Sequence, residues 1–251
     1  MEDSAMTDST PQLTAYPVWD KTVRIFHWVN VLCVLGLIAV GTVILNAKAL
    51  GVPSDGKILL KTAHVYIGYV FAVNLTWRII WGFIGSRYAR WSAILPFGSE
   101  YRAQLSAMIQ GVKAEKPVGF LGHNPIARLM VALLFLLLSI QMITGLVLAG
   151  TDVYMPPFGN TIKEWVAVDS STIESVMPYS KAGVDEAAYK EMRSFRKPFI
   201  TTHYYVFYVL LAAVFLHLLG VVVTELKERN GLVSAMFTGK KVFAKKPFDL
   251  D

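Results

Sequence analysis

The stretch Thr201–Glu225, TTHYYVFYVLLAAVFLHLLGVVVTE, constrains the fold more than any other part of the chain. It is apolar enough and long enough to cross a bilayer, whose hydrocarbon core of about 30 Å needs about 20 helical residues. Yet it carries two histidines, His203 and His217. Ionisable side chains are costly in lipid, so within a membrane helix they mark function. Fourteen residues separate the two, close to four turns at 3.6 residues per turn. Both imidazoles therefore share one face, roughly 21 Å apart along the axis. One helix offering an imidazole toward each leaflet is a scaffold for two stacked cofactors.

Three further runs match that length, at 26–46, 64–85 and 126–150. With 54% hydrophobic and 17% charged residues among 251, against about 25% charged in soluble domains, the chain is expected to be all-α. The expected fold is an integral membrane four-helix bundle with short amphipathic surface helices. Residues 1–17 are polar and proline-punctuated and are expected to form a disordered tail, with 18–251 as a single transmembrane domain. The apolar run after Lys21 and Arg24 is about twenty residues, longer than the h-region of a cleavable signal, so it is read as a retained helix. The single cysteine, Cys33, excludes an intrachain disulfide and a CxxCH haem attachment, and is read as packing. No glycine-rich phosphate loop supports nucleotide chemistry, and no nucleic acid partner is expected.

Local signals set the helix ends. Asp20 is a candidate N-cap for the first span, and Asn124 followed by Pro125 starts the third. Between the second and third spans Tyr101, Leu105, Met108 and Ile109 follow an i, i+4, i+7, i+8 pattern, which predicts an amphipathic surface helix. The outer loop, residues 151–200, holds six basic and seven acidic residues, and 185–195 within it is read as a short helix. The basic segment after the fourth span is expected to lie on the membrane surface. With both termini cytoplasmic, fifteen Lys and Arg fall inside and nine outside, which agrees with the positive-inside rule.

Depth then pairs the histidines. His64 joins His203 toward the outer face, and His27 joins His217 toward the inner face. Two imidazole pairs stacked in one bundle are what two bis-histidine haems require, and a closed six-coordinate iron suits electron transfer. Gly41 lies fourteen residues after His27 on the same face, where a missing side chain admits a flat macrocycle. Gly68 and Gly220 can do the same. Arg78 is placed to bind an inner haem propionate, and Lys61, Arg196 and Lys197 an outer one. His123 is read as a turn residue. No residue is assigned a covalent catalytic role.

The segments WDKTVRIFHW, HVYIGYVFAVNLTWRIIWGFIGSRYARW, GHNPIARL and TTHYYVFYVLLAAVFLHLLGVVVTELKERNGLVSAMFTGKK resemble the four-helix di-haem cytochrome b family of prokaryotes. That family contains the cytochrome b561 type and nickel–iron hydrogenase cytochrome b subunits. The resemblance implies two haem b groups with His27, His64, His203 and His217 as axial ligands. It further implies a multi-pass protein of the bacterial inner membrane that exchanges electrons between quinone and a periplasmic redox protein, such as a c-type cytochrome. Alternative readings are a superoxide-oxidising quinone reductase, the membrane anchor of a hydrogenase or dehydrogenase subunit, and, more distantly, a proton-coupled transporter. Lys163, Glu164 and Asp169 of the outer loop are candidates for proton exchange with quinone.

Overall fold

Short polar side chains start the long helices. A computed structural model describes residues 13–116 and 118–250. In it the Asp20 carboxylate accepts a 2.8 Å hydrogen bond from the Val23 amide, opening helix α1, Lys21–Leu45. Asn124 does the same for Ala127 at 2.8 Å, and Asp185 for Ala188 at 2.8 Å. Each side chain satisfies an amide that the first helical turn leaves without a backbone partner.

After β1, Thr14–Pro17, and α1 come α2, Ser54–Ile84, the short α3, Trp91–Ile94, and α4, Ser99–Lys113. Helix α5 spans Pro125–Val153 and α6 spans Gly159–Val166. Helix α7 spans Glu186–Glu228, and α8, Ala235–Thr238, leads into β2, Lys240–Phe243. The four helices α1, α2, α5 and α7 are long and apolar enough to cross a membrane. Leu32, Val73, Leu136 and Phe215 on them are more than half exposed. Apolar faces of that extent belong against lipid, where a helix also satisfies its own backbone.

Three boundaries depart from the sequence reading. Helix α2 starts at Ser54, ten residues ahead of the expected span, because Asp55 and Gly56 continue a helical turn instead of forming a loop. The expected short helix at 185–195 and the fourth span are one unbroken helix of 43 residues, with Pro198 inside it. A proline removes one backbone hydrogen bond, and the helix continues through it. The disordered tail expected over 1–17 lies outside the described residues for 1–12, but Thr14–Pro17 form an ordered strand.

The chain divides into two compact units. Among the described residues, one takes in those up to Ile25, from Trp81 to Ala132 and from Phe215 onward, and the other comprises Phe26–Ile80 and Leu133–Val214. In the first, β1 and β2 pair antiparallel, with Thr14 opposite Phe243 and Pro17 opposite Lys240. Val18, Trp19, Val23, Ala89, Leu121 and Ala235 pack beside them. The Asp249 carboxylate accepts hydrogen bonds from the Leu121 and Gly122 amides at 2.6 and 2.7 Å. Asp20 gathers Trp81 Nε1 at 3.0 Å and Ser86 Oγ at 2.6 Å besides capping its helix. In the second unit, Phe26 and Cys33 of α1, Phe71 and Leu75 of α2, Leu137 and Leu138 of α5, and Leu210 and Ala213 of α7 form the core. Cys33 is therefore packing, as its apolar surroundings predict.

Candidate cofactor site

Within the second unit α2 and α7 bring His64 and His203 together, with ring centroids 6.4 Å apart and planes at 73°. Glycines of the neighbouring helices make room for the two rings. A Cβ at Gly41 of α1 would sit 3.3 Å from His64 Cε1, and one at Gly145 of α5 would sit 3.4 Å from His203 Cε1. Gly68, one turn beyond His64, faces open space, for an added Cβ there meets nothing within 4 Å. The rings border a cleft of about 700 Å³, its open mouth included, whose walls include Val34, Phe71, Gln141, Met142 and Phe207. The walls are apolar apart from a few donors and acceptors, as a flat, largely hydrophobic cofactor demands.

Buried polar atoms in this cleft lack protein partners. His64 Nδ1 and Gln141 Oε1 are buried without a hydrogen bond among the described residues. His203 differs, with its Nδ1 2.9 Å from the hydroxyl of Thr144. Neither Thr144 nor Gly145 was foreseen, because α5 carries no histidine from which to measure a helical spacing.

Two of the three cations expected around this site are already engaged. Lys61 of α2 and Arg196 of α7 both pair with the carboxylate of Asp152 at the end of α5. Asp152 was not singled out from the sequence, since its partners lie 91 and 44 residues away. Lys197 is exposed and lines a cationic surface groove with Lys190 and Arg193 on the first turns of α7. Arg78 is 3% exposed. Its guanidinium carbon lies 5.8 Å from the Phe26 ring centre and 5.4 Å from that of Phe135. Those rings stack at 6.1 Å and 10°, so the cation is held by π faces.

His27 is half-buried on α1, edge-on to Trp28 at 5.3 Å, and Asn74 Nδ2 donates to the adjoining Phe26 carbonyl at 3.1 Å. His217 is half-buried on α7. The two belong to different units, His27 to the second and His217 to the first. An added Cβ at Gly220 meets nothing within 4 Å. His123 packs on Trp19, with ring centres 4.8 Å apart. In the outer loop, Asp169 accepts from the Ser171 hydroxyl and amide at 2.6 and 2.9 Å and from the Thr172 amide at 3.2 Å. These bonds hold its carboxyl below the usual range and make it a turn-former, a poor proton acceptor near neutral pH. Glu164 is exposed on α6, with Lys163 half-buried beside it.

The sequence pattern of one family, described as prokaryotic cytochrome b561, matches residues 18–239. Among curated proteins, a probable nickel–iron hydrogenase B-type cytochrome subunit of Cupriavidus necator is 24% identical over 249 residues, covering 96% of this chain and 93% of its own. The corresponding Rhodobacter capsulatus subunit is 24% identical, covering 94% and 85%. A probable hydrogenase 1 B-type cytochrome subunit of Escherichia coli is 31% identical over 156 residues, covering 57% of this chain and 64% of its own. No solved structure matches.

Proposed function

The chain belongs to the prokaryotic cytochrome b561 family, and from that premise we propose that it holds two haem b groups. His64 and His203 would ligate the outer one, and His27 and His217 the inner one. The observation that carries this reading is the His64–His203 pair. Two imidazoles on one metal, with metal–nitrogen bonds of about 2.0–2.1 Å and ring centres roughly 1.1 Å behind each nitrogen, stand about 6.4 Å apart. That is the separation of these rings. Among the described residues no group of three His, Cys, Asp or Glu is placed to hold a metal ion. A bare ion would therefore be short of donors, whereas a porphyrin brings its own four.

When bound, haem supplies a ferric–ferrous couple that accepts and releases one electron. The chain's own residues do the rest. The two imidazoles would both ligate the iron and so leave no position for oxygen. Gly41 and Gly145 clear space for the two rings, Gly68 opens onto space a macrocycle could take, and Phe71 and Phe207 of the cleft wall would keep water from its face. Lys61 and Arg196 stand one turn and two turns from His64 and His203, within the reach of propionates, with Asp152 sharing their charge. Arg78, Lys197 and Gly220 are proposed as weaker contributors to binding.

As a membrane b-type cytochrome the protein transfers electrons, and we assign their exchange to quinone on one side and a redox protein on the other. The full-length similarity to hydrogenase cytochrome subunits favours a large metalloenzyme as that partner over a c-type cytochrome. Both termini are placed in the cytoplasm, on the bias of fifteen Lys and Arg against nine.

Reduced-minus-oxidised spectra with haem quantitation test the reading. Wild type is expected to carry two haems per chain, and His203→Ala and His217→Ala about one each, because each iron needs both its ligands. A full complement in either variant removes that histidine from the ligand set. Co-purification of a metalloenzyme subunit with the tagged protein separates the anchor from the stand-alone superoxide-oxidising quinone reductase, which needs no protein partner.

A further inference from the structure

The two imidazoles of the outer pair are not equivalent. Thr144 Oγ1 lies 2.7 Å from the Ile140 carbonyl, 3.3 Å from that of Gln141 and 2.9 Å from His203 Nδ1. A hydroxyl has one proton to give, and a carbonyl can only accept. The proton therefore goes back along the helix, the usual arrangement for a threonine inside one. The oxygen is left to accept, so His203 Nδ1 must carry the hydrogen. In a neutral imidazole the lone pair then sits on Nε2. The opposite tautomer would need the Thr144 proton to leave the Ile140 carbonyl at 2.7 Å and turn to His203 Nδ1 at 2.9 Å, giving up the shorter bond, at a site where Thr144 is 5% exposed. Gly145, next in sequence, keeps this side of the ring clear, since a Cβ added there would sit 3.4 Å from His203 Cε1. His64 has no such acceptor, for its Nδ1 is buried without a hydrogen bond among the described residues.

We propose that Thr144 is the positioning residue of His203, fixing its tautomer and ring orientation and making it the stronger of the two outer axial donors. The proposal rests on the reading that His64 and His203 hold a haem. A hydrogen bond from the far ring nitrogen raises the basicity of a ligating imidazole, and loss of such a partner typically costs about 10–100-fold in affinity for the bound metal. A more electron-rich ligand favours the ferric state, so the outer haem should sit at a lower potential with Thr144 than without it. The unsupported His64 leaves the other axial bond as the one that yields first.

The test uses the full-length protein in detergent with both haems bound. Thr144→Val, of nearly equal volume, is expected to raise the midpoint potential of one haem and displace its low-spin ferric resonance while the other haem keeps its wild-type values. Transfer of that haem to an acceptor apoprotein should become about tenfold faster or more. Thr144→Ser, which keeps the hydroxyl, should restore potential, resonance and transfer rate. Should the valine variant fail to assemble, Thr144→Ala removes the same acceptor and is read in the same way. Wild-type potentials and resonances in the variant lacking the hydroxyl would overturn the assignment. Retention of both haems by His203→Ala would instead overturn the ligand reading beneath it, and that measurement does not involve Thr144.

Discussion

At Asp152 two cations from two different helices converge on one carboxylate. The carboxylate side chain is 15% exposed, so water does little to replace it. Removing one partner from a buried ionic group is far costlier than the pair was worth, because the remaining charges stay buried and uncompensated. Asp152→Asn is accordingly expected to lower stability by about 3 kcal/mol, measured by denaturant titration in mixed micelles. The same substitution removes a negative charge near the proposed His64–His203 haem site and is expected to raise the potential of a haem held there. His64 and His203, which the structure brings together, were legible in the sequence because a polar residue in an apolar run stands out and helical spacing orders it by depth. Asp152, Thr144 and Gly145 were not. Their meaning lies in partners on other helices, and Thr144 is 59 residues from the imidazole it touches.

Capping chemistry made the starts of α1 and α5 readable, since Asp20 and Asn124 are local devices acting within one turn. The small sheet was not readable, because strands of four residues carry too little alternation to show, and β1 meets β2 across almost the whole chain. That pairing buries Lys241, whose ammonium donates to the Phe120 and Gly122 carbonyls at 3.3 and 3.0 Å. Burial lowers its pKa to about 8, partly offset by Glu228, Asp249 and Glu225. An unfolded lysine titrates near 10.4. Between those values the unfolded chain binds more protons than the folded one, so stability should rise with pH from about 8 to about 10.4 and level off on either side. Amide exchange at 119–122 followed over that range checks the slope, and Lys241→Met should abolish it.

Four helices among the described residues are long and apolar enough to span, and an even number of crossings is expected to return the chain to the side on which it began. Reporter fusions in the segment 86–124 and after residue 245 are expected on one face of the membrane, with a fusion at 175 on the other. On the charge bias the shared face is expected to be the cytoplasmic one. Composition and length were sufficient to find four helices able to span, since a bilayer accepts so few kinds of spanning structure. The division into two compact units was not foreseen, because it depends on which segments distant in sequence pack together.

Helix α7 has 43 residues, which at 1.5 Å per residue make a rod of about 65 Å. The oil layer it crosses is less than half as deep, about 30 Å. A large part of the rod must therefore project past the lipid, and its leading end bears Lys190, Arg193 and Lys197 along the exposed groove. Ten residues, about 15 Å of helix, run from Arg193 to His203. A protein gripping that mast would thus be seated beside the outer imidazole with no intervening domain to bridge.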